Sequence, residues 1–160
     1  GQTRKALDTS LIRVFRLINV GSTDVAGNVY CYEDTALTAG VPTDTTKIRA
    51  VIVDGNNQTG MAIYTVPAGK TGYLRQWFAS SSGARKSTNY LIKLKARPFG
   101  QVFNLKHSVS IADDSPYMHS YIEPQTFTEK TDVEMTAFVT DTGITAASVS
   151  GGFDMVLVDN

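Results

Sequence analysis

Residues 61–79, MAIYTVPAGKTGYLRQWFA, constrain the fold more than any other part of the chain. Two runs rich in Ile, Tyr, Thr, Val, Leu, Phe and Trp flank a Pro67-Ala68-Gly69-Lys70-Thr71 break. Neither run has the spacing of an amphipathic helix, and β-branched and aromatic side chains pack well on a pleated surface. Pro67 and Gly69 interrupt ladder pairing, so the segment reads as two strands and a turn.

The same alternation recurs along the chain. Strands are predicted at 11–18, 29–33, 48–53, 61–66, 71–80, 89–97, 101–107, 132–140 and 150–158, separated by Gly-, Asp-, Asn-, Thr- and Ser-rich breaks such as DGNNQTG and TDTGITAA. Leu7, Leu11, Phe15 and Ile18 also have near-helical spacing, but Ile12, Val14, Phe15 and Ile18 favour a strand over 11–18. Strands at roughly ten-residue intervals point to stacked antiparallel sheets and not to βαβ units. The expected fold is all-β: a jelly-roll-like antiparallel β-sandwich of about 8–10 strands. Residues 1–10 read as an N-terminal arm or linker end, and 11–160 as a single sandwich domain. Because the first residue is Gly1, the chain is expected to carry the scar of a cleaved tag or to be a processed product or an excised fragment.

Side-chain phase adds detail. In 89–97, Tyr90, Ile92, Leu94 and Ala96 share one face, while Leu91, Lys93, Lys95 and Arg97 share the other. Near the C-terminus, Phe153, Met155 and Leu157 oppose Asp154, Val156 and Val158, which makes that strand apolar on both faces. Such a strand lies centrally in a sheet or against another subunit.

Composition narrows the partners. Fifteen basic residues balance fifteen acidic ones, so no global field draws the chain to nucleic acid or anionic lipid. No apolar run approaches the roughly 20 residues of a membrane-spanning helix. No membrane or nucleic-acid partner is expected. Cys31 is the only cysteine, which excludes an intrachain disulfide and reads as a small buried apolar residue.

Catalytic patterns are weak. Gly69-Lys70-Thr71 imitates the end of a phosphate-binding loop, but Tyr64 stands where that loop needs glycine, and a strand follows instead of a helix. His107 and His119 are the only histidines; with Asp113 and Asp114 they could converge across one loop, but they lack a short fixed ligand motif. Asn57-Gln58-Thr59 is a glycosylation sequon or simply an exposed turn. No catalytic residue, metal or cofactor is expected.

Two clusters remain as candidate interface residues. Lys93, Lys95 and Arg97 place three cations on one strand face, with Arg75, Arg85, Lys86 and Lys106 as candidate neighbours. They read as a solvated face or a subunit contact matched by carboxylates, and their reversal to Glu is expected to disturb assembly more than folding. Phe99 and Phe103, beyond the following turn, are not expected among them. Tyr117 and Tyr121, in the loop-like SPYMHSYIEP, suit either an interface or a cover over the open end of a core.

Four segments carry a resemblance: MAIYTVPAGKTGYLRQWFAS, LIKLKARPFGQVFNLKH, FTEKTDVEMTAFVTD and GGFDMVLVDN. In this order they resemble small β-rich virion structural or decoration-type proteins of tailed bacteriophages, common in marine viral sequence. The similarity spans roughly 48–160. It implies a non-enzymatic virion component, a capsid decoration or stabilising protein that docks on virion proteins and on its own copies as a homotrimer. The alternative is a carbohydrate- or receptor-binding sandwich domain of a tail fibre, with a host-surface glycan as partner. Trp77, Tyr117 and Tyr121 would then stack on sugars, whereas burial of Trp77 would favour the structural reading.

Overall fold

The computed structural model describes residues 4–83, 89–112, 114–140 and 147–160. Arg85, Lys86 and Asp113 lie outside the described residues. The chain divides into two compact units, 1–61 and 62–160, a division that falls within the span read from sequence as one sandwich. Among the described residues the regular structure is antiparallel β, with one short 3-10 turn and no α-helix.

The first unit is built from short strands. They are β1 (Val29–Tyr32), β2 (Leu37–Thr38), β3 (Val41–Pro42) and β4 (Ile48–Ile52). β1 pairs with β4, and β2 with β3. Before β4, the Asp44 carboxylate caps the 3-10 turn Thr45–Lys47, accepting from the Thr46 N–H at 3.0 Å and the Thr46 hydroxyl at 2.6 Å. These bonds favour the charged form and hold the Asp44 carboxyl below its usual range. The strand predicted over 11–18 is absent: only an isolated bridge, Ile18 to Gln58, forms there. Leu11, Ile12 and Ile18 remain exposed, so this stretch lacks the half-buried surface that alternation implies.

Among its described residues the second unit contains seven strands. In order they are β5 (Ile63–Thr65), β6 (Lys70–Gly83), β7 (Asn89–Arg97), β8 (Asn104–Ala112), β9 (Pro116–Phe127), β10 (Asp132–Val139) and β11 (Ala147–Asp159). They form a four-stranded sheet, β5-β10-β7-β8, and a three-stranded sheet, β11-β6-β9. The turn between β5 and β6 is closed by the Lys70 N–H donating to the Pro67 carbonyl at 3.3 Å, with Gly69 at φ 74°. That conformation is open to glycine and strained for most other residues, which explains the break read from sequence.

Both sheets contribute to one apolar core, as in a β-sandwich. Leu74, Trp77 and Ala79 from β6 meet Tyr90, Ile92, Leu94 and Ala96 from β7, with Ile111, Phe127 and Val133 around them. The phase read for 89–97 is the phase observed, with its even-numbered residues from Tyr90 to Ala96 buried. Burial of each large side chain stabilises the unit by about 1.5–3 kcal/mol relative to exposure.

Three departures from the sequence reading matter. The stretch read as loop-like, 115–124, belongs mostly to β9, a strand at the sheet edge where Pro116 and Pro124 leave no central ladder incomplete. The strand read at 101–107 begins later, at Asn104, because Pro98–Gln101 forms a hydrogen-bonded turn. β11, apolar on both faces, lies at an edge and not centrally.

β6 is irregular at Arg75. On one side Leu74 and Gln76 pair with the adjacent residues Met155 and Asp154 of β11. On the other they pair with Gln125 and Ser120 of β9, so residues 121–124 of β9 stand against Arg75 alone, Tyr121 still inward and Ile122, Glu123 and Pro124 exposed. Arg75 is thus an extra residue relative to β11, while β9 carries the surplus on its own side, and Leu74 and Trp77, three apart, are both fully buried in the core.

Candidate functional site

Three surfaces of the second unit carry polar or aromatic chemistry. The first is the outer face of β7. Antiparallel register sets Arg97 opposite Asp132, Lys95 opposite Glu134 and Lys93 opposite Thr136. Lys95 Nζ lies 3.3 Å from Glu134 Oε2. Arg97 donates to Asp132 Oδ2 from Nε at 3.0 Å and Nη2 at 2.6 Å, while the Thr65 hydroxyl donates to Asp132 Oδ1 at 2.6 Å. Phe103 closes over this row, its ring centre 4.5 Å from the Arg97 guanidinium carbon and 5.2 Å from Lys95 Nζ. Phe138 sits 5.0 Å from Lys93 Nζ.

This arrangement corrects one expectation and adds to another. Phe103 does lie among the cations, because the turn after β7 folds it back over the strand. The carboxylates that match Lys95 and Arg97 come from β10 of the same chain, so reversal to Glu would oppose Asp132 and Glu134 and is expected to lower folding stability beside any effect on assembly. Of the other candidate cations, Arg75 lines a groove on the three-stranded sheet and Lys106 lies on β8.

The second surface is the side of the sandwich where β8 and β9 approach. His107 and His119, twelve residues apart, come together with ring centroids 4.5 Å apart. Trp77 packs on His107 at 5.1 Å and on Tyr117 at 5.0 Å, and Tyr121 packs on His119 at 4.6 Å. Tyr117 and Tyr121 therefore turn inward and cover the core edge. Trp77 is 0% exposed, and among the described residues its buried Nε1 and the buried Tyr121 hydroxyl make no well-aligned hydrogen bond, each being at most a poorly aligned partner of the other. Burial, and secondarily the neighbouring Tyr117, raises the Tyr121 phenol above its ordinary value; the nearby Trp77 N–H partly offsets this. Among the described residues, no group of three or more His, Cys, Asp or Glu side chains is arranged to hold a metal ion. Cys31, on β1, is half-buried, and burial pushes its thiol up, towards the protonated and unreactive form.

The His107 environment predicts a pH response. Burial, then the proximity of His119, lowers the folded-state value of His107 below the usual 6.5. Above that value His107 is neutral in both folded and unfolded chains, and its full contribution to stability is present. As pH falls from there towards the lowered folded value, the unfolded chain binds more protons and stability declines. Urea midpoints should fall between pH 7 and pH 5, and His107→Gln should flatten that part of the profile. Equal slopes in the two proteins would remove His107 as the cause.

The third surface is the outer face of the three-stranded sheet. Phe78 pairs across with Met118, and Tyr73 with Val156. Phe78, Met118, Val156 and Val158 are exposed, Met118 to 69%, and Ile122 stands free on β9. Beside them Arg75, Gln76, Ser120, Tyr121 and Asp154 line a shallow groove of about 370 Å³. Within it, the Gln76 amide donates to the Asp154 carboxylate.

Sequence reasoning missed this face because Met118 and Ile122 fell in a stretch read as loop. The Met118–Ser120–Ile122 alternation against Tyr117–His119–Tyr121 was the signal that could have found it. No helix among the described residues is long and apolar enough to cross a membrane. No protein-family model, curated protein or solved structure matches the chain.

Proposed function

We propose that this chain is a non-enzymatic structural protein of a phage virion, a capsid decoration or stabilising protein that acts by docking and self-association. The sequence resemblance supplies the virion context and the expectation of a homotrimer. One observation carries the docking part: the exposed cross-strand pair Phe78 and Met118 on the three-stranded sheet, with Val156 and Val158 exposed beyond the Gln76–Asp154 rung. Aromatic and Met side chains of this kind form the centres of protein interfaces. The finer description as a jelly roll belongs to the same proposal. Early and late strands alternate in both sheets, β5 beside β10 and β6 beside β11, as a wrapped sandwich requires.

On this reading, the protein co-sediments with emptied capsids of the phage that encodes it, many copies adding avidity to a weak single contact. Phe78→Asp with Met118→Asp reduces capsid occupancy about tenfold or more, with an unchanged circular dichroism spectrum. Failure of the unmodified protein to bind capsids, or full binding by the double variant, would overturn it.

The carbohydrate- or receptor-binding alternative retains one supporting observation. The groove beside Arg75 offers mixed donors and acceptors of the type sugar hydroxyls use. Against it, Trp77 is fully buried and Tyr117 and Tyr121 face inward, so none of the three offers a flat stacking platform. Saturable binding on a glycan array, abolished by Arg75→Ala, would favour it over docking.

A further inference from the structure

β11 pairs only with β6 among the described strands, so alternate backbone N–H and C=O groups along its outer edge lack a ladder partner. Edge strands are ordinarily short, bulged, or guarded by Lys or Pro. β11 runs for 13 residues and contains no Lys, Arg or Pro. Its one irregularity with β6 arises from the extra Arg75 in β6, leaving β11 itself regular. Phe153, Met155 and Leu157 face inward but remain only half-buried, and Val156 and Val158 are exposed on the other side. Being at an edge removes the central-strand explanation for this two-sided apolar pattern and leaves a subunit contact.

We propose that β11 pairs antiparallel with β11 of a second copy about a two-fold axis, joining two three-stranded sheets into one of six strands. The inference rests on the self-association part of the reading above and assigns it a dimer interface where the resemblance implies a trimer. A second copy is the occupant that fits, because the strand complements itself. Full overlap of residues 147–159 centres on Phe153. Met155 then lies opposite the partner subunit's Gly151, Asp154 opposite the partner subunit's Gly152, Val156 opposite the partner subunit's Ser150, and Val158 opposite the partner subunit's Ser148. Large side chains meet small ones, and Asp154 meets no acid. Moving the axis to Asp154 would set two carboxylates face to face, which disfavours that register. Odd positions meet odd positions, so inward faces stay on one side of the joined sheet. The zero formal net charge of the chain leaves little repulsion between copies.

The register supplies its own test. Light scattering of the unmodified protein across a concentration series should give a dimer. Ser150→Asp with Val156→Asp puts like charges opposite each other twice, and should raise the dimer dissociation constant about tenfold at low salt. Ser150→Lys with Val156→Asp puts opposite charges there and should restore the dimer. A trimer whose mass neither variant changes overturns β11 pairing and leaves self-association standing; a monomer at every concentration overturns both. Amide exchange on the unmodified protein decides the matter if the acidic variant fails to fold. Continuous protection over 148–158 that rises with concentration supports pairing, and alternate amides exchanging freely at all concentrations overturn it.

Discussion

Trp77→Ala should lower the unfolding free energy of the second unit by about 3–5 kcal/mol, the range for removing a large buried aromatic. The side chain is 0% exposed and fills the space between β6 and β8, against His107 and Tyr117. Truncation leaves a cavity that a close-packed sandwich fills only partly, and it withdraws the packing that holds the His107–His119 edge in place. Trp77→Phe should cost less, because a ring remains to fill most of the core space. Since Trp77 is the only tryptophan, the measurement is a thermal or urea transition followed by circular dichroism. A transition unchanged by the Ala substitution would refute the packing role.

Asp132→Ala should have the next largest effect, about 3 kcal/mol, at the lower end of the range for removing one member of a buried ion pair. The Asp132 side chain is 7% exposed, whereas that of Arg97 is 31% exposed, so water reaches one side of the pair and moderates the loss. The substitution strands the Arg97 guanidinium beneath Phe103 and removes the acceptor of the Thr65 hydroxyl. A double-mutant cycle with Arg97→Ala should return a coupling of about 1 kcal/mol or more between the two side chains. Additive effects would reduce the contact to a surface pair of little energetic weight.

How much of this was legible in the sequence varies with how local the cause is. The phase of Tyr90 to Arg97 was readable because strict alternation in a strand with neighbours on both sides needs only the pleat to explain it. The turn at Gly69 was readable from its own residues. β9 was not, because Pro116, Pro124, Ser120 and Glu123 read as loop chemistry in a single sequence; only a sheet edge makes those prolines harmless. The meeting of His107 with His119 and the return of Phe103 over Lys95 and Arg97 depend on how β8 and β9 approach and where a turn points. Spacing along the chain carries neither. The opposite error occurred at 11–18, where β-prone residues found no partner strand beyond the Ile18 bridge.

The extra residue at Arg75 has a consequence for how this chain can change in length. Deleting one residue in the middle of a strand ordinarily turns every later side chain inside out. Here Leu74 and Trp77 already face the same way with two residues between them, so loss of Arg75 would restore plain alternation and keep Trp77, Ala79 and Ser81 inward. The midpoint of β6 is therefore a place where evolution can shorten the chain by one codon while the hydrophobic side of the sheet stays hydrophobic.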